Sequence, residues 1–134
     1  MVFVKLVGVV VKGVGEGRKY VEIYSKAFED ALGFKPYPGT LNVELNKESE
    51  LKMPTILNSK PYAVINPPQN HLVAVYVWKS FVGKINSSSK IVAYVVRPMK
   101  TVHGLNIVEL ISSENIRKKL GLVDGDFVEI NVVL

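Results

Sequence analysis

Residues that could bind a phosphorylated ligand fall in three segments of the chain, and the first is a glycine-rich loop. Its sequence is Gly13-Val14-Gly15-Glu16-Gly17-Arg18-Lys19, with three glycines within five residues. Backbone N–H groups in such a loop can approach an anion without interference from Cβ atoms, and Arg18 and Lys19 add positive charge. The loop lacks the Gly-Lys-Ser/Thr of a Walker loop and the third glycine of a dinucleotide fingerprint. A flexible β-turn with a basic rim would give the same pattern.

The second segment is Pro36-Tyr37-Pro38-Gly39-Thr40-Leu41-Asn42-Val43. Side chains two residues apart on a strand share a face, so Thr40 and Asn42 are predicted to lie side by side. A hydroxyl and an amide oxygen can bind Mg²⁺ when phosphates and water complete its octahedron, because Mg²⁺ takes only one or two groups from the protein. Thr40 and Asn42 are therefore candidate Mg²⁺ ligands, although the absence of a carboxylate pair argues against a free-standing metal site. An edge strand with outward polar residues is the more common reason for such a pattern.

The third segment runs from Lys100 through Thr101, His103 and Glu109 to the start of a predicted helix near 113–117. A helix N-terminus presents free N–H groups that can bind an anion, and Arg117 could reach a phosphate with two hydrogen bonds. A capped surface helix and a solvated Glu109 are the alternatives. His71 and His103 lack the spacing of a zinc site or a catalytic triad, so neither is assigned to a metal or to nucleophilic catalysis.

The elements that must position these segments are predominantly strands. Valine-rich or alternating runs predict strands at 2–11, 41–45, 71–78, 91–97 and 127–134. Short helices are predicted at 25–32, capped by Ser25 and ended by Gly33, and at 113–120, capped by Ser112 or Ser113 and ended by Gly121. Residues 46–61 are predicted to be a surface connection with room for one short strand, and 79–90 the loop of a long hairpin. The pattern indicates a mainly β fold.

The composition limits the classes of function. The chain has 134 residues, of which 48% are hydrophobic, as expected for one folded domain. It has no cysteine, which excludes a disulfide, a thiolate nucleophile, an Fe–S cluster and a cysteine zinc site. The net charge of +5 favours an anionic partner such as a nucleotide, although ordinary solubility explains it equally well. The apolar N-terminal run is interrupted by Lys5 and is shorter than a membrane span, so we expect a cytoplasmic protein without membrane association.

The motifs resemble a known family when they are taken together. They are Gly13-x-Gly15-Glu16-Gly17-Arg18, Gly33-Phe34-x-Pro36-Tyr37-x-Gly39-Thr40-Leu41-Asn42, and Lys100-Thr101-x-His103 with Glu109 downstream. Their order and spacing are similar to those of the archaeal CTP-dependent riboflavin kinases over nearly the whole chain. The resemblance implies a small closed cradle-loop β-barrel, RIFT-like and related to swapped-hairpin barrels, with about two short α-helices. The sequence departs from the family pattern at Lys19, where an aromatic residue is expected directly after the arginine.

The resemblance also implies roles for individual residues. Nucleotide-contacting positions would be Val14, Gly15, Glu16, Gly17, Arg18, Lys19, Glu114, Asn115, Ile116 and Arg117. Thr40 and Asn42 would bind Mg²⁺, and Thr101 and Glu109 would contact the flavin. Glu109 is in addition our candidate for orienting or deprotonating the attacking hydroxyl, since phosphoryl transfer needs mainly positioning and charge neutralisation. Only the resemblance indicates CTP.

The expected partners are riboflavin and CTP as substrates and FMN and CDP as products. Residues 1–134 are expected to form a single riboflavin kinase domain, monomeric and without an N-terminal helix-turn-helix domain. One alternative function is a nucleic-acid-binding module of the swapped-hairpin type, which the positive charge would favour, although the cations are scattered and the best-defined motifs are glycine-rich turns. The other is a non-catalytic barrel that binds flavin or nucleotide. The Thr40 and Asn42 pair argues against the second alternative.

Overall fold

The computed structural model describes residues 1–13, 15, 17–101 and 103–134. Within those ranges the chain forms seven strands and four helices. The strands are β1 (Phe3–Val11), β2 (Leu41–Leu45), β3 (Ala63–Ile65), β4 (Val75–Lys84), β5 (Ile91–Pro98), β6 (Ile107–Ile111) and β7 (Phe127–Val133). The helices are α1 (Gly17–Leu32), α2 (Lys47–Glu50), α3 (Met53–Leu57) and α4 (Ile116–Leu120). The fold is therefore mainly β, as the sequence predicts.

Six strands form a closed ring of antiparallel pairs. Their order is β4–β5–β6–β2–β1–β7, and β7 pairs again with β4. The long β4 has two neighbours on one edge, because residues 75–77 pair with β3 and residues 80–84 pair with β7. Closure of the ring satisfies backbone groups that would otherwise lie at free sheet edges.

Two apolar clusters hold these elements together in the described part of the chain. One is contributed by the strands of the ring and includes Leu6, Val43, Trp78, Leu110 and Ile130, each at most 2% exposed. The second cluster packs the buried face of α1 against β3, β4, β5 and β6. That face consists of Val21, Tyr24 and Phe28, which are spaced three and four residues apart as an amphipathic helix requires.

The predicted strands at 2–11, 41–45, 91–97 and 127–134 are confirmed to within about two residues at each end. Gly33 and Gly121 end their helices in left-handed conformations, with φ of 82° and 66°, as predicted for C-terminal glycines. None of the helices within the described ranges is long and apolar enough to span a membrane.

The predicted helix boundaries were wrong at their N-terminal ends. The helix predicted for 25–32 begins at Gly17, so Ser25 lies within it and does not cap it. The helix predicted for 113–120 begins at Ile116, and its cap is Asn115, whose side chain accepts a hydrogen bond from the Lys118 N–H at 3.2 Å. In both cases the C-terminal end was predicted correctly and the starting residue was not.

Two connections also differ from the prediction. Residues 46–61 contain α2 and α3 and no strand: Asn46 caps α2 by accepting from the Ser49 N–H, and Pro54 lies in the first turn of α3. The loop predicted at 79–90 is much shorter, because β4 continues to Lys84 where it pairs with β7. The same strand starts at Val75 and not at His71. Pairing with β7, a strand distant in sequence that local patterns do not record, extends β4 to Lys84, while its start at Val75 coincides with the pairing to β3.

A buried carboxylate on β7 should make stability depend on pH. Glu129 lies 2.9 Å from Lys90 Nζ and 3.2 Å from Lys5 Nζ, and the hydrogen bond from Lys90, followed by that from Lys5, lowers the pKa of Glu129 below its ordinary 4.5. Because the folded pKa lies below the unfolded one, the stabilisation is complete above the unfolded pKa and is lost as pH falls through the folded pKa. We expect Glu129→Gln to lower the free energy of unfolding by about 1 kcal/mol at neutral pH.

Urea denaturation at pH 7 and at about pH 3 checks this prediction, since the difference between variant and wild type should shrink at the lower pH. Glu44→Gln is the matched control, because Glu44 is an exposed carboxylate on the neighbouring part of the sheet. An equal loss of stability at both pH values would contradict the assignment to the ionised carboxylate.

Candidate functional site

Three polar side chains meet where β2 lies beside β6. Asn42 is opposite Glu109 in the register of these strands, and Thr40 immediately precedes β2. Thr40 Oγ1 donates a hydrogen bond to Glu109 Oε1 at 3.2 Å, and Asn42 Nδ2 donates to Thr40 Oγ1 at 3.3 Å. The Glu109 side chain is 16% exposed and Asn42 is 6% exposed. We call Thr40, Asn42 and Glu109 the β2–β6 cluster.

The β2–β6 cluster fits a divalent cation. Asn42 Oδ1 is buried and has no hydrogen-bond partner among the described residues, so an acceptor of the kind that binds hard cations is left unused. The backbone at Gly13 and at the start of α1 passes very close to the β2–β6 cluster. A Cβ at Gly13 would lie 2.6 Å from Asn42 Nδ2, and one at Gly17 would lie 2.5 Å from Thr40 Oγ1. Glycine at both positions keeps the space beside these side chains free.

A cavity of about 170 Å³ lies beside Thr40. We call it the first cavity. Its lining residues come from the segment before β2 and from the start of α4: Tyr37, Gly39, Thr40, Leu41, Ser112, Glu114, Asn115, Ile116 and Arg117. The Tyr37 N–H donates to the Ser112 carbonyl at 2.8 Å, and Asn115 Nδ2 donates to Tyr37 Oη at 3.2 Å. These bonds join the segment before β2 to the start of α4. The predicted residues at 114–117 and Thr40 therefore line one cavity.

The glycine loop leads directly into α1. Gly15 has a φ of 87°, a conformation that favours glycine, and Gly17 begins the helix beside Thr40. The Arg18 side chain is 78% exposed and pairs with Glu22 at 3.1 Å, and it lines neither the first cavity nor the one along α1. Val14 and Glu16, also predicted to contact the nucleotide, lie outside the described residues. The N-terminus of this 16-residue helix thus faces the β2–β6 cluster through Gly17 and favours negative charge there.

A second cavity, of about 360 Å³, lies along α1. Its lining residues come from α1, from 71–73 and from 98–100: Lys19, Tyr20, Ile23, Tyr24, His71, Leu72, Val73, Pro98 and Lys100. Burial raises the pKa of the Tyr20 phenol, and the negative charge of Glu109 raises it further. Tyr20 lies three residues after Gly17 on α1, and Gly17 lies against Thr40, which is the hydrogen-bond partner of Glu109. Because Thr40 lines the first cavity and Gly17 lies against it, the first turn of α1 brings the second cavity near the β2–β6 cluster.

The loop between β5 and β6 is fixed by Arg97. Its guanidinium donates to the carbonyls of His103 and Gly104, both at 3.1 Å, and to that of Ile107 at 3.4 Å. Burial lowers the pKa of Arg97, while the charge of Glu109 opposes that effect. The His103 N–H donates to Thr101 Oγ1 at 3.1 Å, and His103 Nε2 lies 3.9 Å from Glu109 Oε2. Thr101 and Glu109 are thereby held by one loop and its following strand.

Comparison with known proteins identifies the family. The model of the CTP-dependent riboflavin kinase family, described as Domain of unknown function DUF120, matches residues 10–132. The chain belongs to this family. A riboflavin kinase of Staphylothermus marinus is 39% identical over 127 residues, which cover 95% of this chain and 90% of that protein. A riboflavin kinase of Sulfolobus acidocaldarius is 39% identical over 136 residues, covering 98% and 82%.

The CTP-dependent riboflavin kinase family includes longer relatives. The chain is 41% identical over 133 residues to a riboflavin kinase of Archaeoglobus fulgidus and spans 55% of that protein's length. It spans 61% of the riboflavin kinase of Pyrobaculum arsenaticum, to which it is 37% identical. Membership of this family makes the chain a kinase.

The structure brings together most of the residues singled out from the sequence of this kinase. Thr40, Asn42 and Glu109 form one cluster, and Lys19, which was predicted to contact the nucleotide, lies at the second cavity and not the first. Sequence reasoning missed Tyr20 and Arg97. Tyr20 precedes Tyr24 by the same four residues that separate Tyr24 from Phe28, a spacing that would have extended α1 toward the glycine loop. The sequence carried no comparable signal for Arg97, whose role depends on three backbone carbonyls.

Proposed function

We propose that this kinase transfers the γ-phosphoryl group of CTP to the ribityl 5′-hydroxyl of riboflavin, giving FMN and CDP. The observation that carries the proposal is the β2–β6 cluster at the wall of the first cavity, since a carboxylate beside two neutral oxygen ligands suits phosphoryl transfer to an alcohol. The relatives named riboflavin kinase support riboflavin as the acceptor. The family name supports CTP as the donor.

The two cavities have different chemical character and suit different substrates. The first cavity is lined by Thr40, the start of α4 and the Tyr37–Asn115 pair, so we assign it to the nucleotide. Base selection there would come from hydrogen bonds to the base edge by residues 113–117, because sites built to pair polar groups reject a mismatched base strongly. The second cavity has aromatic and apolar walls that suit a planar flavin ring, and it adjoins Thr101 through Lys100. The flavin is assigned to this cavity.

The metal that the family implies would be held by Thr40 and Asn42. The unused Asn42 Oδ1 and the Thr40 hydroxyl are oxygen ligands that suit Mg²⁺, which keeps most of its coordination for phosphate and water. When bound, Mg²⁺ supplies charge neutralisation for the phosphate oxygens. The Thr40 oxygen is available as a metal ligand because its proton is donated to Glu109.

Residues of the chain perform the remaining tasks. Glu109 would orient the attacking hydroxyl or accept its proton, since its carboxylate is held by Thr40 at the wall of the first cavity. The N-terminus of α1, starting at Gly17, would stabilise the negative charge of the phosphates. In-line attack then requires little more than correct placement of both substrates. We also propose that the closed ring is a RIFT-like cradle-loop barrel and that residues 1–134 act as one catalytic unit in a monomer.

Product analysis tests the proposed function. Purified protein is incubated with riboflavin, Mg²⁺ and CTP, ATP, GTP or UTP in parallel, and FMN and the nucleoside diphosphate are quantified by chromatography. We expect FMN chiefly with CTP, formed in equal amount with CDP. Absence of FMN with every donor, from folded protein that still binds riboflavin or nucleotide, would favour a non-catalytic binding protein. Salt-dependent binding to oligonucleotides would instead favour the nucleic-acid-binding alternative.

A further inference from the structure

The hydroxyl of Tyr20 is buried and has no hydrogen-bond partner among the described residues. Tyr24, one turn along the same face of α1, differs in this respect because its hydroxyl donates to the Val73 carbonyl at 2.6 Å. Most buried polar groups in folded proteins have a partner, and leaving one without it lowers stability. An unused donor at the edge of a substrate cavity therefore points to a partner that arrives with the substrate.

Packing fixes the position of this hydroxyl. The Tyr20 ring lies 5.0 Å from the Tyr24 ring and 6.2 Å from the Phe28 ring, measured between centroids. The side chain lines the second cavity near Glu109, whose charge acts on the phenol. Burial raises the pKa of Tyr20, so the phenol keeps its proton and acts as a hydrogen-bond donor. The donor is thus preorganised before substrate binds.

The second cavity is lined by both apolar and polar side chains. Ile23, Leu72 and Pro98 supply apolar surface suited to the flavin ring. The acceptor hydroxyl must instead lie near Glu109, if the proposed function is correct. Tyr20 is in the first turn of α1 with Gly17, which lies against Thr40, the hydrogen-bond partner of that carboxylate. An oxygen of the ribityl chain is therefore the substrate atom expected next to Tyr20.

We propose that Tyr20 Oη donates a hydrogen bond to an oxygen of the ribityl chain, which makes Tyr20 a specificity-determining residue for the alcohol substrate. This inference rests on the proposed function and extends it to a residue outside the β2–β6 cluster. A site built to pair a substrate hydroxyl discriminates against analogues that lack it, because the protein's donor is then left unpaired.

The test is Tyr20→Phe, which removes one oxygen and keeps the ring packing. Binding of riboflavin and of lumiflavin, which carries a methyl group in place of the ribityl chain, is measured by quenching of flavin fluorescence. We expect riboflavin to bind the variant roughly 3–10-fold more weakly and lumiflavin to bind both proteins equally. Tyr62→Phe is the matched control, since Tyr62 is 55% exposed and lines neither cavity.

Unchanged riboflavin affinity in Tyr20→Phe, or an equal loss for riboflavin and lumiflavin, would overturn the inference. The melting temperature of the variant should equal or exceed that of the wild type, because an unpaired buried hydroxyl has been removed. FMN formation by the wild type is followed separately. Wild-type protein that binds riboflavin and forms no FMN would remove the proposed function, whereas an active wild type with an unaffected variant would remove only the role of Tyr20.

Discussion

The double substitution Thr40→Val with Asn42→Leu is expected to abolish turnover and leave the fold intact. Both replacements keep the approximate shape of the side chain and remove the two oxygens that fit a divalent cation. Charge neutralisation by a metal and preorganised donors each contribute several kcal/mol to reactions of this kind, so we expect a loss of about 10³-fold or more in kcat/KM.

The same double substitution is expected to maintain or raise stability while it lowers activity. Asn42 is 6% exposed and its Oδ1 has no partner among the described residues, so it bears a desolvation cost in the absence of a ligand. Leucine at this position removes that cost. We therefore expect the melting temperature of the double variant to match or exceed that of the wild type. A functional residue that costs stability is a common compromise in enzymes.

Two measurements separate these effects. FMN formation is followed over a range of Mg²⁺ concentrations, and thermal unfolding is recorded without Mg²⁺ or nucleotide. Thr55→Val with Asn58→Leu is the matched control, because it makes the same chemical changes at exposed positions of α3 and its C-terminal cap. Unchanged Mg²⁺-dependent rates in the Thr40 and Asn42 variant would remove the metal assignment.

Local sequence patterns predicted the secondary structure correctly where it depends only on residues that are neighbours in the chain. The valine-rich β1, the glycines at 33 and 121 and the alternation of Leu41, Val43 and Leu45 all act through neighbouring residues. The start of α1 at Gly17 was missed because glycine is a poor helix former. Its place there depends on contact with Thr40, which a side chain at position 17 would disturb.

The candidate site required information that local patterns do not contain. Asn42 and Glu109 are 67 positions apart in the chain. They lie side by side only because the register of β2 and β6 places them opposite each other. A shift of one residue would turn one of the two side chains to the other face of the sheet. Motif resemblance could associate these residues with one function, but it could not predict the Thr40–Glu109 hydrogen bond or the unused hydroxyl of Tyr20.

Glu109→Gln is expected to reduce kcat and to leave riboflavin affinity nearly unchanged. Glutamine keeps the size of the side chain and can still accept the hydrogen bond from Thr40, which is 3.2 Å long in the wild type. It cannot accept a proton from the attacking hydroxyl. Loss of a positioned general base lowers rates by roughly 10²–10⁴-fold, whereas loss of a simple binding contact raises KM and leaves kcat in place.

Steady-state kinetics with varied riboflavin, together with direct binding by flavin fluorescence, distinguishes these roles. Glu44→Gln is the control, because Glu44 is an exposed carboxylate on the same strand as Asn42 and should have wild-type kinetics. Full kcat with weaker riboflavin binding in Glu109→Gln would make Glu109 a binding group. Proton removal would then fall to water, which is chemically reasonable because a loose transition state for phosphoryl transfer demands little activation of the nucleophile. The kcat and KM of this one variant therefore decide whether the β2–β6 cluster contains a base or only positions the two substrates.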